Sequence, residues 1–222
     1  MKVNDQVYAY IWRDPRANNS NSFLIVSEQT RCLIDPGHTA FLPDLFRRMT
    51  ADGVRPEEIT SVILTHGHPD HMEGGLELQR KGARLGISPK EEAFLQEVGP
   101  YFAQMFGFEM PDLAFDFYLE KGALNLGAVE LEILETPGHS PGSISLFRPE
   151  DRMLFTGDLI FAQGVGRTDF PGGDSMLLKQ SIRRCRELKP ASILSGHGEM
   201  ILDEAEVERN FDMIERMYFP ML

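Results

Sequence analysis

The sequence predicts an α/β domain, and three observations carry that expectation. Short apolar runs bounded by Gly, Pro, Asn or Asp alternate with longer amphipathic stretches. No linker-like run, low-complexity stretch or fixed-period repeat divides the 222 residues, a length that suits one domain, 1–222, with a substantial core. A hydrophobic fraction of 42% and a charged fraction of 25% are those of a soluble globular chain.

In order, strands are expected over 7–12, 22–27 and 31–34, each rich in aliphatic, aromatic or β-branched residues. A helix over 39–51 follows, then a strand at 61–65, a helix at 72–81 and a strand at 83–87. The spacing predicts a long helix over 89–106, because Ser88-Pro89-Lys90-Glu91 offers a capping Ser, Pro at the first helical position and Glu three after the cap. Strands at 129–135, 143–147 and 152–156, a helix at 176–188, a strand at 191–195 and a helix at 204–217 complete the pattern. Interleaving alone leaves open whether the helices cover one sheet or two.

The stretch 91–110 is rich in aromatic residues and Met and continues through Phe115, Phe117 and Tyr118. It reads either as helix packed on core or as a lid, with Phe102, Met105 and Phe106 as pocket wall; residues 89–121 are thus a possible lid or helical insertion. That surface, or the apolar tail at 218–222, could support a homodimer, and a monomer is equally compatible with the sequence.

A formal net charge of −12 argues against a nucleic-acid partner, which needs clustered Lys and Arg. No run approaches the ~20 apolar residues of a membrane span, and the first residues lack an apolar leader core, so no membrane partner and a cytoplasmic location are expected. Cys32 and Cys185 lie in no metal or redox spacing and read as packing residues.

Five of the six histidines share one context. The apolar run at 61–65 leads into His66-Gly67-His68-Pro69-Asp70-His71, the run at 131–136 leads to His139, and the run at 191–196 leads to His197. A fourth run, 153–157, delivers Asp158 in the same way. Each time a strand ends, a small residue follows and a potential ligand appears, which places the ligands on the rim of a packed sheet. Alternate residues of extended chain point the same way, so His66 and His68 can face one metal. Asp70 and His71 follow where the chain turns and can face a neighbouring position, and the two oxygens of Asp158 suit a bridge. Imidazole and carboxylate suit one or two divalent ions, Zn foremost, with Fe or Mn acceptable.

At these residues the chain resembles the metallo-β-lactamase superfamily, whose signature is His-x-His-x-Asp-His followed by a separate His, Asp and His. The match extends from Asn21-Ser22-Phe23 and Ile34-Asp35-Pro36-Gly37 to Ser195-Gly196-His197-Gly198. The resemblance implies an αββα sandwich, two mixed sheets flanked by helices, with metals at one edge. It implies one metal on His66, His68 and His139 and a second on Asp70, His71 and His197, with Asp158 bridging. Asp35 matches a supporting position beside the site, though a turn-forming Asp before Pro-Gly is as good a reading. The segments 136–143 and 164–170 look like the glyoxalase II-like (hydroxyacylglutathione hydrolase) branch and its persulfide dioxygenase relatives; the short tail after His197 resembles the single-domain members. His38 reads as a loop-surface residue, with a place on the pocket wall the lesser alternative, and Arg167 with Asp169 as a structural pair beside the site or, less favoured, a substrate contact.

The expected activity is hydrolysis of a small thioester or ester by hydroxide generated at the metal, with Asp70 and Asp158 the catalytic carboxylates. Asp70, if freed from metal in a mononuclear form, could serve as a general base. One alternative is a mononuclear iron persulfide dioxygenase using His66, His139 and Asp158; another is a metal-stabilised scaffold without turnover.

Overall fold

Strand-forming runs that are apolar at successive positions must be covered on both faces. In the computed structural model, which describes residues 1–14, 16–107 and 114–222 without the side chains of Phe102, Met105 and Phe106, two stacked sheets and two helical layers do so. The first sheet runs β1 (Val7–Tyr10), β2 (Ser22–Val26), β3 (Arg31–Ile34), β4 (Ser61–Ile63), β5 (Arg84–Ile87) and β6 (Phe117–Tyr118) in spatial order. β1 to β3 pair antiparallel, and β3 to β6 pair parallel.

The second sheet comprises β7 (Gly122–Leu126), β8 (Val129–Glu135), β9 (Ile144–Arg148), β10 (Met153–Gly157) and, beyond the ribbon of β11 (Ile160–Phe161) and β12 (Gly164–Val165), β13 (Ser192–Ser195). Its spatial order is β13-β10-β9-β8-β7, antiparallel except for β10 with β13. Both sheets are therefore mixed.

Alternate residues of each strand serve different layers. Phe23, Ile25, Cys32, Ile34 and Ile63 meet Leu131, Ile133, Leu146, Phe155 and Leu194 in the cluster between the sheets. Leu24, Leu33, Val62 and Leu85 pack instead with Leu45 and Met49 of α1 (Leu42–Ala51). Leu154 and Ile193 pack with two later helices, labelled below in chain order. The result is the expected αββα sandwich.

The helix expected over 39–51 begins as a 3-10 turn, Thr39–Phe41, before α1. The helix expected over 72–81 is two pieces, α2 (Pro69–Met72) and α3 (Gly75–Arg80). The reason is tertiary: the Asp70 carbonyl that would continue the helix accepts from Ser20 N (3.0 Å), and Gly74 N donates to Gly37 O (2.7 Å). α4 (Pro89–Phe106) starts at the Ser88 cap as expected. Its Glu91 carboxylate, however, reaches across to other loops rather than closing a capping box. α5 (Ser175–Glu187) and α6 (Glu204–Met217) are capped by Asp174 and Asp203 and supply the Leu178, Ile182, Val207 and Phe211 of the outer layer.

Four strands escaped the sequence expectation: β6, β7, β11 and β12. In the lid segment, Leu95 packs on the first sheet's outer layer, while residues 108–113 and the side chains of Phe102, Met105 and Phe106, on which the lid reading turns, lie outside the described residues. Both cysteines are buried, and burial pushes each thiol up to about 12, as packing residues require. No helix among the described residues is long and apolar enough to cross a membrane.

Candidate metal centre

The seven predicted ligands converge at one rim of the sandwich. His66 and His68 follow β4, while Asp70 and His71 sit in the first turn of α2. His139 follows β8, Asp158 follows β10 and His197 follows β13. One sheet thus gives four ligands and the other three, joined by the bond from Ile144 N to Thr65 O (2.9 Å). Close approach at the rim demands small residues: a Cβ on Gly196 would lie 2.4 Å from Asp158 Oδ1 and 2.8 Å from His71 Cε1.

Three overlapping groups form: His66 with His68 and His139, Asp70 with His71 and His197, and His66 with His71 and Asp158. In the first, His68 Nδ1 stands 3.1 Å from His66 Nε2 and 2.8 Å from His139 Nε2. In the second, His197 Nε2 stands 3.2 Å from His71 Nε2 and 3.1 Å from Asp70 Oδ2. Asp158 faces both groups, with Oδ1 3.2 Å from His71 Nε2, and Oδ2 3.6 Å from His139 Nε2 and 3.5 Å from His197 Nε2.

Surrounding groups fix which ring nitrogens carry protons. His71 Nδ1 donates to Asp35 Oδ2 (2.8 Å), and His139 Nδ1 donates to the Arg167 carbonyl (2.8 Å). Thr65 Oγ1 donates to Asp35 Oδ2 (2.7 Å), so it accepts from His66 Nδ1 (3.1 Å). These outer bonds leave the Nε2 lone pairs of His66, His71 and His139 aimed at the interior. Lone pairs this close repel unless a cation lies between them. Tetrahedral bonds of ~2.0–2.1 Å place ligand atoms roughly 3.3 Å apart, near the separations seen. The donor set therefore fits divalent metal.

The titration behaviour divides the site. Burial holds His66 well below its ordinary value, with His71, His68 and His139 adding to the effect. Burial likewise lowers His68 to about 3. Burial also opposes charge on His71, but the carboxylates of Asp158, Asp35 and Asp70 outweigh it and hold that imidazole well above its ordinary value. The same contest raises His197 to about 9, with Asp158 and Asp70 the winning groups. Burial would raise Asp70 and Asp158, yet His71 and His197 keep both below the usual carboxylate range. His66 and His68 are held as neutral ligands, and the aspartate-rich group demands positive charge, a proton or a metal ion.

Sequence reasoning missed several supporting residues. Asn18 Nδ2 donates to Asp70 Oδ2 (2.7 Å), and Asn21 Nδ2 donates to the carbonyls of Ser195 and Gly198 (both 2.9 Å), bracketing His197. The run Asn18-Asn19-Ser20-Asn21 before an apolar strand was the available signal, since Asn19, Ser20 and Asn21 are buried. Asp35 takes the supporting position and is no mere turn residue. His38 lines the cavity, the lesser of its two expected places, with its Nδ1 3.1 Å from Glu73 Oε2. Arg167 and Asp169 are the expected bidentate pair (2.7 Å twice), and Arg167 also lines the cavity, stacked 3.6 Å from the Phe170 ring centroid. The cavity over the metal ligands holds about 640 Å³, with Phe161, Val165 and Phe170 among its walls.

Comparison with known proteins agrees with this geometry. The metallo-β-lactamase superfamily pattern matches residues 15–197. Hydroxyacylglutathione hydrolase GloC of Haemophilus influenzae is 37% identical over 181 residues, 77% of this chain and 81% of that protein. The probable metallo-hydrolase YqgX of Bacillus subtilis is 31% identical, over 81% of this chain and 85% of its own. A crystal structure of TTHA1623 in a di-iron-bound form superposes with a TM-score of 0.72 at 29% identity, covering 86% of this chain and 93% of that one. From its converging histidines and aspartates to its αββα layers, the chain belongs to the metallo-β-lactamase superfamily.

Proposed function

We propose that the protein is a metal-dependent hydrolase of a small thioester or ester, of the glyoxalase II-like kind. The observation that carries this reading is the pair of ligand groups with Asp158 facing both. His66, His68 and His139 would hold one divalent ion, and Asp70, His71 and His197 a second. Two such ions supply an activated water and polarise the scissile carbonyl at neutral pH. The donor set accepts Zn, Fe or Mn. The name of the Haemophilus relative supports a thioester substrate, and the di-iron form of TTHA1623 supports a two-metal site.

The chain's own residues shape the rest. Phe161, Val165 and Phe170 give the cavity an apolar wall for the acyl group, and its volume suits a small molecule. Asp35 and the Arg167 carbonyl keep the histidine rings in the chelating tautomer through the reaction. Asp158 keeps the two groups in fixed relation. Asp70 Oδ2, steadied by Asn18, opens on the cavity.

The test is elemental analysis of protein purified without added metal, with assays on a glutathione thioester and a glutathione persulfide under air. Two metal ions per chain, thioester cleavage and no oxygen uptake are expected. One iron per chain with persulfide-dependent oxygen uptake would overturn the reading, and a metal-loaded protein inert to both substrates would make the chain a scaffold.

A further inference from the structure

We propose that Glu91 is a positioning residue that clamps the loop carrying His66 and His68 to the loop carrying His139, and so sets the three-histidine group. The inference rests on the metal-centre reading above. Glu91, in the first turn of α4, is 1% exposed and does not line the cavity over the metal ligands. Its Oε1 accepts from Gly67 N (2.8 Å), the peptide between His66 and His68. Its Oε2 accepts from Ser140 Oγ (2.8 Å), next to His139, and from Gly142 N (2.8 Å).

One carboxylate therefore joins loops that issue from different sheets. The chain makes room for it on both sides. A Cβ on Gly67 would lie 2.7 Å from the Leu95 methyls, and one on Gly142 would lie 2.1 Å from Glu91 N. Burying a carboxylate is costly, and the three donors offset that cost only while both loops stay in place. A helix-capping role needs none of these contacts. The Ser88 hydroxyl already caps α4 through Glu91 N, and it donates in turn to the Gly142 carbonyl (2.7 Å).

Thr65 orients the His66 ring from its own loop, and the Arg167 carbonyl orients the His139 ring from the segment after β12. Neither bond spans the two loops; the Ile144–Thr65 backbone bond ties their bases, and the Glu91 carboxylate ties them beside the ligands themselves. The aspartate-rich group has supports that Glu91 does not touch, in the bonds of Asp35 to His71, Asn18 to Asp70 and Asn21 to the carbonyls around His197. Loss of the clamp should therefore weaken one ion selectively. Replacing Glu91 by Gln turns one acceptor into a donor, which then faces either Gly67 N–H or the Ser140 and Gly142 pair. Replacing Ser140 by Ala removes one of the three bonds and leaves the carboxylate.

The experiment titrates metal-free wild type, Glu91→Gln and Ser140→Ala with Co²⁺, followed by visible absorption and by competition with a chromophoric chelator. Thermal unfolding of each metal-free protein is measured alongside. The clamp predicts two sites in wild type and, in Glu91→Gln, one site weakened about 10–100-fold with the other nearly unchanged. Ser140→Ala should weaken that same site less. If Glu91→Gln does not fold, Ser140→Ala carries the test alone. Wild-type affinity at both sites in folded variants, or equal weakening of both, would overturn the clamp. Wild type that takes up no Co²⁺ would overturn the metal-centre reading itself, and the clamp with it.

Discussion

Replacing Asp35 by Asn probes how far the site depends on ring tautomers. Asp35 is 2% exposed and accepts three bonds: Thr65 N at 2.8 Å, Thr65 Oγ1 at 2.7 Å and His71 Nδ1 at 2.8 Å. Its φ of 49° is one that Asn tolerates well, so the backbone does not oppose the change. The amide keeps one acceptor, which Thr65 N can retain, but points a donor at the other two partners. Thr65 can turn its hydroxyl, whereas His71 must move its proton to Nε2, the atom that faces Asp158 and His197. That blocks the lone pair on which the second group depends. Loss of an outer partner costs about 10–100-fold in metal affinity, or ~1.4–2.7 kcal/mol, and a wrong tautomer puts this case at the upper end. The metal-free protein also loses a charge-assisted bond, worth ~1.5–3 kcal/mol before relief of carboxylate burial is subtracted. Chelator competition reads the affinity, and ¹⁵N shifts of the His71 ring read the proton. Asp35→Asn with wild-type affinity at both sites and the His71 proton still on Nδ1 would refute the tautomer argument.

Stripping metal with a chelator should lower the melting temperature: an ion at 100 times its Kd contributes ~2.7 kcal/mol, which is roughly 5–10 °C for a chain of this size. Adding Zn²⁺ to metal-free protein at pH 7 should release protons, because His197, raised from 6.5 to about 9, is protonated there; calorimetry in buffers of different ionisation enthalpy counts them, and apparent affinity should rise with pH up to about 9. The sign for stability is opposite: in metal-free protein the His197 contribution is complete below pH 6.5 and fades as pH rises through about 9, which melting curves at pH 6 and 9.5 compare. Arg167→Ala keeps the carbonyl that holds His139 but removes the side chain stacked on Phe170; KM should rise several-fold, in the ~1–2 kcal/mol range of a stacked cation, with metal content unchanged by elemental analysis.

The ligands were legible because each stands where an apolar run stops, and a strand end in a two-layered sheet has few places to go. His66, His68, His139, Asp158 and His197 all follow that rule. What escaped was either too short or too distant in sequence. β11 and β12 have two residues each, below any periodicity, and β6 is no longer. β7 was readable: Leu124 and Leu126 alternate with Ala123 and Asn125, and Gly127 at φ 68° opens a two-residue turn into β8. The break between α2 and α3 depends on Ser20 and Gly37 taking backbone groups from a helix far along the chain. Glu91 was visible only as a capping residue, since its partners Gly67, Ser140 and Gly142 meet it through tertiary packing. His38 likewise reads as loop surface until Glu73 draws it to the cavity edge.

The division of ligands between the two sheets also makes ion capture a test of a finished chain. His71 and His197 lie 126 positions apart, and Asp158 joins them from a third segment. During synthesis from the N-terminus, the first sheet can form while its four ligands have no opposite wall. The aspartate-rich group cannot chelate until β13 has joined β10 and carried His197 to the rim. A chain stalled before that step lacks the second group, so an ion that needs it is drawn to completed molecules over unfinished ones.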